Sequence, residues 1–233
     1  MVMVQAFDRI VVGVLDLPSA AQQYAQLLGV PAYQPPQLEG VKEQVWFGLG
    51  NTVMQLERTE LGENRIQGLV LATPDAGAVP ERYTNPLGLE LALCDGSATA
   101  HFREAQPQAA DFRVDHLVLR TADAPACIAL FSENLGIRLA LDKTAPQWGG
   151  RMLFFRAGKL TLEVIESRKE ATASNTFWGV AYQCQDIDKC TGRLIQAGVL
   201  LSKIRDGRKP GTRVATLKSH DLGIPSLLLE AAT

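Results

Sequence analysis

Short apolar runs recur along the chain in an order that repeats once. Phe7-Asp8-Arg9-Ile10-Val11-Val12-Gly13-Val14 and Val114-Asp115-His116-Leu117-Val118-Leu119-Arg120-Thr121 are both rich in β-branched and apolar residues, and each reads as a strand. Each is followed by a helix-start signal, Asp16-Leu17-Pro18-Ser19 in the first and Asp123-Ala124-Pro125 in the second. Aspartate caps a helix N-terminus and proline suits the first turn. Leu17, Ala21, Tyr24 and Leu28 then recur at helical spacing, as do Cys127, Leu130, Phe131 and Leu135. Both patterns stop at Leu-Gly, where glycine supplies a left-handed residue that ends a helix. His116 stands 107 residues after Arg9, and Gly136 stands 107 after Gly29.

The correspondence continues through a predicted hairpin. Val45-Trp46-Phe47-Gly48-Leu49-Gly50 matches Met152-Leu153-Phe154-Phe155-Arg156-Ala157-Gly158, and Thr52-Val53-Met54-Gln55-Leu56-Glu57 matches Leu160-Thr161-Leu162-Glu163-Val164-Ile165. A second kind of unit follows each hairpin. Gln67-Gly68-Leu69-Val70-Leu71-Ala72 resembles Trp178-Gly179-Val180-Ala181-Tyr182-Gln183, after which residues 187–197 read as a helix ended by Gly198. Strands are expected near 199–204, 213–217 and 226–230. In the first half residues 77–86 are too short and proline-rich for a full helix, and Leu89-Glu90-Leu91-Ala92-Leu93 closes the unit. The pattern predicts an α+β fold of tandem βαβββ modules: one domain over residues 1–97 with a shortened second module, a partly helical linker over 98–112, and a complete domain over 113–233.

Charge and composition narrow the partners. The net charge of −2 offers no basic excess for a phosphate backbone, so nucleic acid is not expected. No apolar run approaches the roughly 20 residues that span a bilayer, and the first residues lack the basic and apolar regions of a signal peptide. The four cysteines form no Cys-x-x-Cys pair, which suits a reducing cytoplasm, although Cys184 and Cys190 are spaced to allow a redox pair. A small-molecule ligand is the expected partner, with the chain a monomer or a homodimer.

An apolar-Asp-His-apolar strand, Val114-Asp115-His116-Leu117, a helix ending Asn134-Leu135-Gly136, and a strand Leu162-Glu163-Val164 together resemble the vicinal-oxygen-chelate superfamily of glyoxalases, bleomycin-resistance proteins and dioxygenases. The resemblance extends over nearly the whole chain. It implies curled mixed sheets forming two cups, and a divalent metal (Zn, Mn, Fe or Ni) held on the first and last strands of each module. It also implies lyase, isomerase or dioxygenase chemistry on a small oxygen-rich or carbonyl substrate. Some members hold ligands with no metal.

Carried over by position, the resemblance makes His116 and Glu163 metal ligands, with Glu163 also the catalytic carboxylate, but the partner positions fall at Gly179 and Leu227, which cannot ligate. In the first half the same positions hold Arg9, Gln55, Gly68 and Glu90, and a permanent guanidinium repels a metal. Each domain thus offers about two ligands where catalytic sites hold three or more, so a metal-free cup stands as the alternative. Alternation along the strands adds Arg120, Trp178 and Tyr182 to the C-terminal cup as substrate-binding candidates. Arg9 could bind a substrate carboxylate in the first cup or form an internal salt bridge. His116 and Glu163 could equally pair with their neighbours, His220 reads as a turn residue, and residues 205–213 form a basic hairpin that either closes a pocket or is solvated. The complete second module places the expected pocket in the C-terminal domain, with the N-terminal domain supporting it.

Overall fold

The computed structural model describes residues 2–36, 42–106, 112–145, 150–166 and 175–231. The N-terminal half contains β1 (Ala6–Val14), α1 (Leu17–Leu28), β2 (Gln44–Gly48), β3 (Val53–Arg58), β4 (Arg65–Ala72), β5 (Glu81–Tyr83) and β6 (Glu90–Cys94). Its strands form one mixed sheet in the order β2-β3-β1-β4-β6-β5. After α2 (Ser97–Glu104), the C-terminal half contains β7 (Arg113–Thr121), α3 (Ala124–Ile128), β8 (Arg138–Ala145), β9 (Gly150–Ala157) and β10 (Leu160–Glu166). Then come β11 (Thr176–Cys184), α4 (Ile187–Gln196), β12 (Arg205–Asp206), β13 (Arg213–Thr216) and β14 (Ser226–Glu230). These strands form a second mixed sheet, β12-β13-β14-β11-β7-β10-β9-β8. The same scheme builds both: the first strand lies parallel to the last strand of its own module and antiparallel to the first strand of the next. Part of the expected linker, residues 107–111, lies outside the described residues.

The capping residues act as the sequence pattern requires. Asp16, Asp123 and Asp186 each accept a hydrogen bond from the backbone N–H three residues on, at 2.9–3.0 Å, satisfying a donor that has no partner inside the helix. Gly29 and Gly136 end the two first-module helices at φ 70° and 64°, where a side chain would be strained. α3 runs on as a π-helical segment, Ala129–Asn134, before reaching Gly136.

Three details depart from the pattern. An eighth strand, β8, flanks the C-terminal sheet, whereas its counterpart in the first half is a single bridge between Tyr33 and Trp46. The strand expected near 199–204 is reduced to a bridge between Leu201 and Leu217, and the two-residue β12 takes the edge position. The first-half second module, short of a helix as expected, adds the edge strand β5.

One face of each sheet packs on the helices, and these faces share a continuous core that contains Tyr24 of α1, Leu69 of β4, Phe131 and Tyr182 of β11. The two halves are bonded as well as packed. Asn51 brackets the backbone of Val114, donating to its carbonyl at 2.8 Å and accepting from its N–H at 3.0 Å. Arg193 of α4 donates to the carbonyls of Gln26 and Leu27 at 3.1 and 2.9 Å, satisfying acceptors at the C-terminal end of α1.

Candidate functional site

Bulges decide what the other face of each sheet presents. Asp115 is an extra residue on β7 against β11, and Trp178 is an extra residue on β11 against β7. Asp8 on β1 and Gln67 on β4 are the matching extra residues of the first half. A bulge bends its strand and turns two successive side chains to one side. Asp115 and His116 therefore share the face away from the helices, as do Asp8 and Arg9.

In the C-terminal sheet that face carries a second group of buried side chains. Val118, Met152, Ala181 and Val214 are buried there although they lie outside the helix-side core. Register sets out its floor in rows across the strands. Arg156, Thr161, His116, Ala181 and Leu227 make one row; Phe154, Glu163, Val118 and Gly179 the next; Met152, Ile165 and Arg120 the third. Thr161, Phe154 and Arg156 escape a reading centred on the His and Glu motifs. Their signal is the alternation with core residues Leu153, Phe155, Leu160 and Leu162.

His116 lies between two carboxylates. Its Nδ1 is 3.0 Å from Asp115 Oδ2, and its Nε2 is 3.8 Å from Glu163 Oε2. The His116 side chain is 24 % exposed and that of Glu163 15 %. The hydrogen bond from His116, aided by the charges of Arg113 and Arg156, holds the Asp115 carboxyl below its ordinary range despite partial burial. An ionised carboxylate only accepts, so Nδ1 carries a proton and Nε2 is the nitrogen turned toward Glu163. Such an array can exchange a proton with a bound molecule, or hold its polar group, at Nε2 and the Glu163 carboxylate.

At the far end of the same face, Trp178 is 40 % exposed. The guanidinium carbon of Arg120 sits 4.1 Å from the centroid of its ring. Tyr182 does not join them. It is fully buried in the shared core, with its ring 6.3 Å from that of Phe112. The extra residue Trp178 shifts the alternation, so Val180, Tyr182 and Cys184 face the core and Gly179 and Ala181 face the floor.

The corresponding face of the first half is filled from within. Arg9 and Asp8 form an ion pair at 3.0 Å, with side-chain exposures of only 5 % and 4 %. Arg9 also donates to Gln55 at 3.4 Å and stacks on Trp46 at 5.0 Å. Helix α2 lies over this group: the Thr99 hydroxyl donates to the Asp8 carboxylate, and Phe102 stacks on Tyr33 at 4.6 Å and meets Trp46 at 5.7 Å. Of the two uses expected for Arg9, the geometry matches the internal salt bridge. Glu90 is exposed and pairs with Arg82 at 3.2 Å. His220 bonds to Gln26 at 2.8 Å, and Arg213 pairs with Asp188 and Glu230, so both serve packing between elements.

A cleft of about 300 Å³ lies elsewhere, between α1 and β2, lined by Leu17, Ala21, Gln34, Glu43 and Val45. Only one of its lining residues is ionisable, and none belongs to the His116 array. The His116 array lies instead on the β7–β10 floor.

The residues present do not fit a metal held by the protein. Among the described residues no three His, Cys, Asp or Glu side chains are arranged to hold one ion; Asp115 and Glu163 lie against opposite nitrogens of His116. Across the sheet from His116 stand Ala181 and Leu227. Gly179 has no room for a side chain, since a Cβ there would lie 2.6 Å from the Pro225 carbonyl oxygen. Two ligands fall short of the three or more that protein metal sites supply.

Two mixed sheets of repeated modules, each with a helix-packed face and a face bent by paired bulges, define a two-domain α+β protein. Residues 115–216, most of the C-terminal half, match the family model of the Glyoxalase/Bleomycin resistance protein/Dioxygenase superfamily. Among solved structures it is similar to a variant of 4-hydroxymandelate synthase from Streptomyces coelicolor, at 11% identity and a TM-score of 0.72, covering 97% of this chain and 92% of that one. It is also similar to a Mn(II)-bound glyoxalase from Novosphingobium aromaticivorans, at 16% identity and a TM-score of 0.69, covering 100% and 84%. A fusion protein of a xylose isomerase-like TIM barrel and a 4-hydroxyphenylpyruvate dioxygenase matches at 14% identity and a TM-score of 0.65, covering 100% of this chain and 50% of that one. At these identities the likeness establishes the fold. No curated protein matches the sequence.

Proposed function

We propose that the chain binds a small molecule on the face of its C-terminal sheet away from the helices, with no metal held by the protein alone. The observation that carries this reading is that His116 Nε2 and Glu163 Oε2 approach to 3.8 Å while the facing positions are Ala181 and Leu227. The pair receives a polar group of the ligand. Val118, Phe154 and Leu227 contact its apolar part, and Arg120 and Trp178 form one wall, as in ligand sites that combine apolar lining with a few polar groups. Four free, buried cysteines suit a reducing cytoplasm. Among the described residues no helix is long and apolar enough to cross a membrane.

A second reading is favoured by the same 3.8 Å approach on an otherwise apolar floor. There the chain is a metal-dependent lyase, isomerase or dioxygenase, in which His116 and Glu163 ligate and substrate and water complete the sphere. Elemental analysis and calorimetric titration with Zn, Mn, Fe and Ni, on protein purified without a histidine tag, separate the two. The binding reading expects no stoichiometric metal. Stoichiometric metal that is lost in both His116→Ala and Glu163→Gln establishes the second reading instead.

A further inference from the structure

We infer that the ligand of the C-terminal face is a small carboxylate with an apolar body, and that Arg120, stacked on Trp178, is the residue that selects it. The inference rests on the binding reading above and names the class of molecule the site takes. Arg120 is half-buried on β7; its guanidinium stacks on the Trp178 ring at 4.1 Å and, among the described residues, meets no carboxylate, carbonyl or hydroxyl oxygen. Other arginines of the chain show what such a group ordinarily finds. Arg9 pairs with Asp8, Arg151 with Asp142, and Arg213 with Asp188 and Glu230. A partly buried guanidinium whose donors meet no oxygen among the described residues is suited to take an acceptor from a ligand. The indole occupies the flat face of the guanidinium and leaves the N–H edges free, the fork that matches a carboxylate with two parallel hydrogen bonds.

Placement argues the same way. Trp178 is the extra residue of a bulge, which is why a large ring stands 40 % exposed beside Arg120 instead of in the core. Arg120 is four residues along β7 from His116, about 13 Å at the strand rise. Between them lies the row of Phe154, Glu163, Val118 and Gly179, whose carboxylate approaches His116 at 3.8 Å and whose other members are apolar. A molecule that reaches from Arg120 toward the His116–Glu163 pair therefore carries its charge at one end and apolar atoms in the middle.

The test uses the full chain and two nearly isosteric probes, 3-phenylpropanoate and 3-phenylpropanamide. Binding is measured by isothermal titration calorimetry, with circular dichroism and melting curves as a check of folding. Wild type should bind the acid at least tenfold more tightly than the amide. Arg120→Gln should bring the ratio to within about twofold by weakening the acid alone, whereas Arg156→Gln, a change of another cation on the same face, should leave the ratio intact. Equal binding of acid and amide by wild type, a ratio that survives Arg120→Gln, or no binding of either probe overturns the carboxylate assignment. Val118→Trp, which fills the floor, separates this from the underlying reading. If both probes bind Val118→Trp as they bind wild type, the site itself is misplaced.

Discussion

His116 on β7 faces Ala181 on β11, and the two residues are opposite partners of an antiparallel pair on the floor of the C-terminal sheet. Opposite Cβ atoms in such a pair stand about 5 Å apart. Ala181→His would therefore set a second imidazole beside His116 and Glu163 and supply the third ligand that the chain lacks. We expect Zn and Ni to bind this variant at least tenfold more tightly than wild type by calorimetric titration. Adding Glu163→Gln should cancel most of the gain. A variant no better than wild type would show that the bent sheet holds position 181 out of reach.

Asp115 links stability to pH. The hydrogen bond from His116 lowers its carboxyl below the ordinary value of 3.8. A carboxyl depressed by folding stabilises the native state above its unfolded value, and that contribution is lost as pH falls through the folded value. Asp115→Asn should therefore be less stable than wild type at about pH 5, and the gap should close on acidification below about pH 3. Urea denaturation of both proteins across this range measures it. A gap that widens on acidification would contradict the assignment.

The Asp8–Arg9 pair beneath α2 is a buried charge pair, so removing one partner strands the other. Asp8→Ala should cost about 3–5 kcal/mol in urea denaturation. Thr99→Val, which removes only one donor to that carboxylate, should cost about 1–3 kcal/mol. Neither should change ligand binding at the C-terminal face if the first half only supports it. Loss of binding in stably folded Thr99→Val would place a functional site in the N-terminal half.

Two glycines should respond in opposite directions. A Cβ at Gly179 would meet the Pro225 carbonyl oxygen at 2.6 Å, whereas one at Gly192, inside α4, would meet nothing within 4 Å. Gly179→Ala should destabilise by about 1–3 kcal/mol through overpacking of backbone. Gly192→Ala should stabilise by about 0.5–1 kcal/mol through helix propensity. Melting temperatures of the two variants, read against wild type, suffice to check the signs.

Much of the fold is legible in local chemistry. Aspartate caps, Leu-Gly helix stops and runs of β-branched residues act within a few positions of themselves, which is why the strand–helix–hairpin order of each half appears in the pattern. His116 and Glu163 are legible for a related reason: each lies at a repeated place in a repeated module, and repeats align without knowledge of contacts. Tyr182 was not legible. Alternation from Trp178 sends both to one face, but the bulge at Trp178 changes the phase and buries Tyr182.

By itself, then, the sequence determined the two-sheet α+β plan and which side chains exist to do chemistry, because hydrophobic period and capping are local properties of the chain. It also put Gly179 and Leu227, which carry no ligating side-chain atom, at the positions the resemblance assigns to further metal ligands. Only the tertiary structure decided that the outer face of the first sheet is sealed. Sealing depends on α2 reaching back so that Thr99 meets Asp8 and Phe102 meets Tyr33, contacts between residues as many as 91 positions apart whose pairing no local pattern encodes. The same holds for Arg120: the residue is plain in the sequence, but that it stacks on an exposed indole follows only from where a single extra residue bends β11.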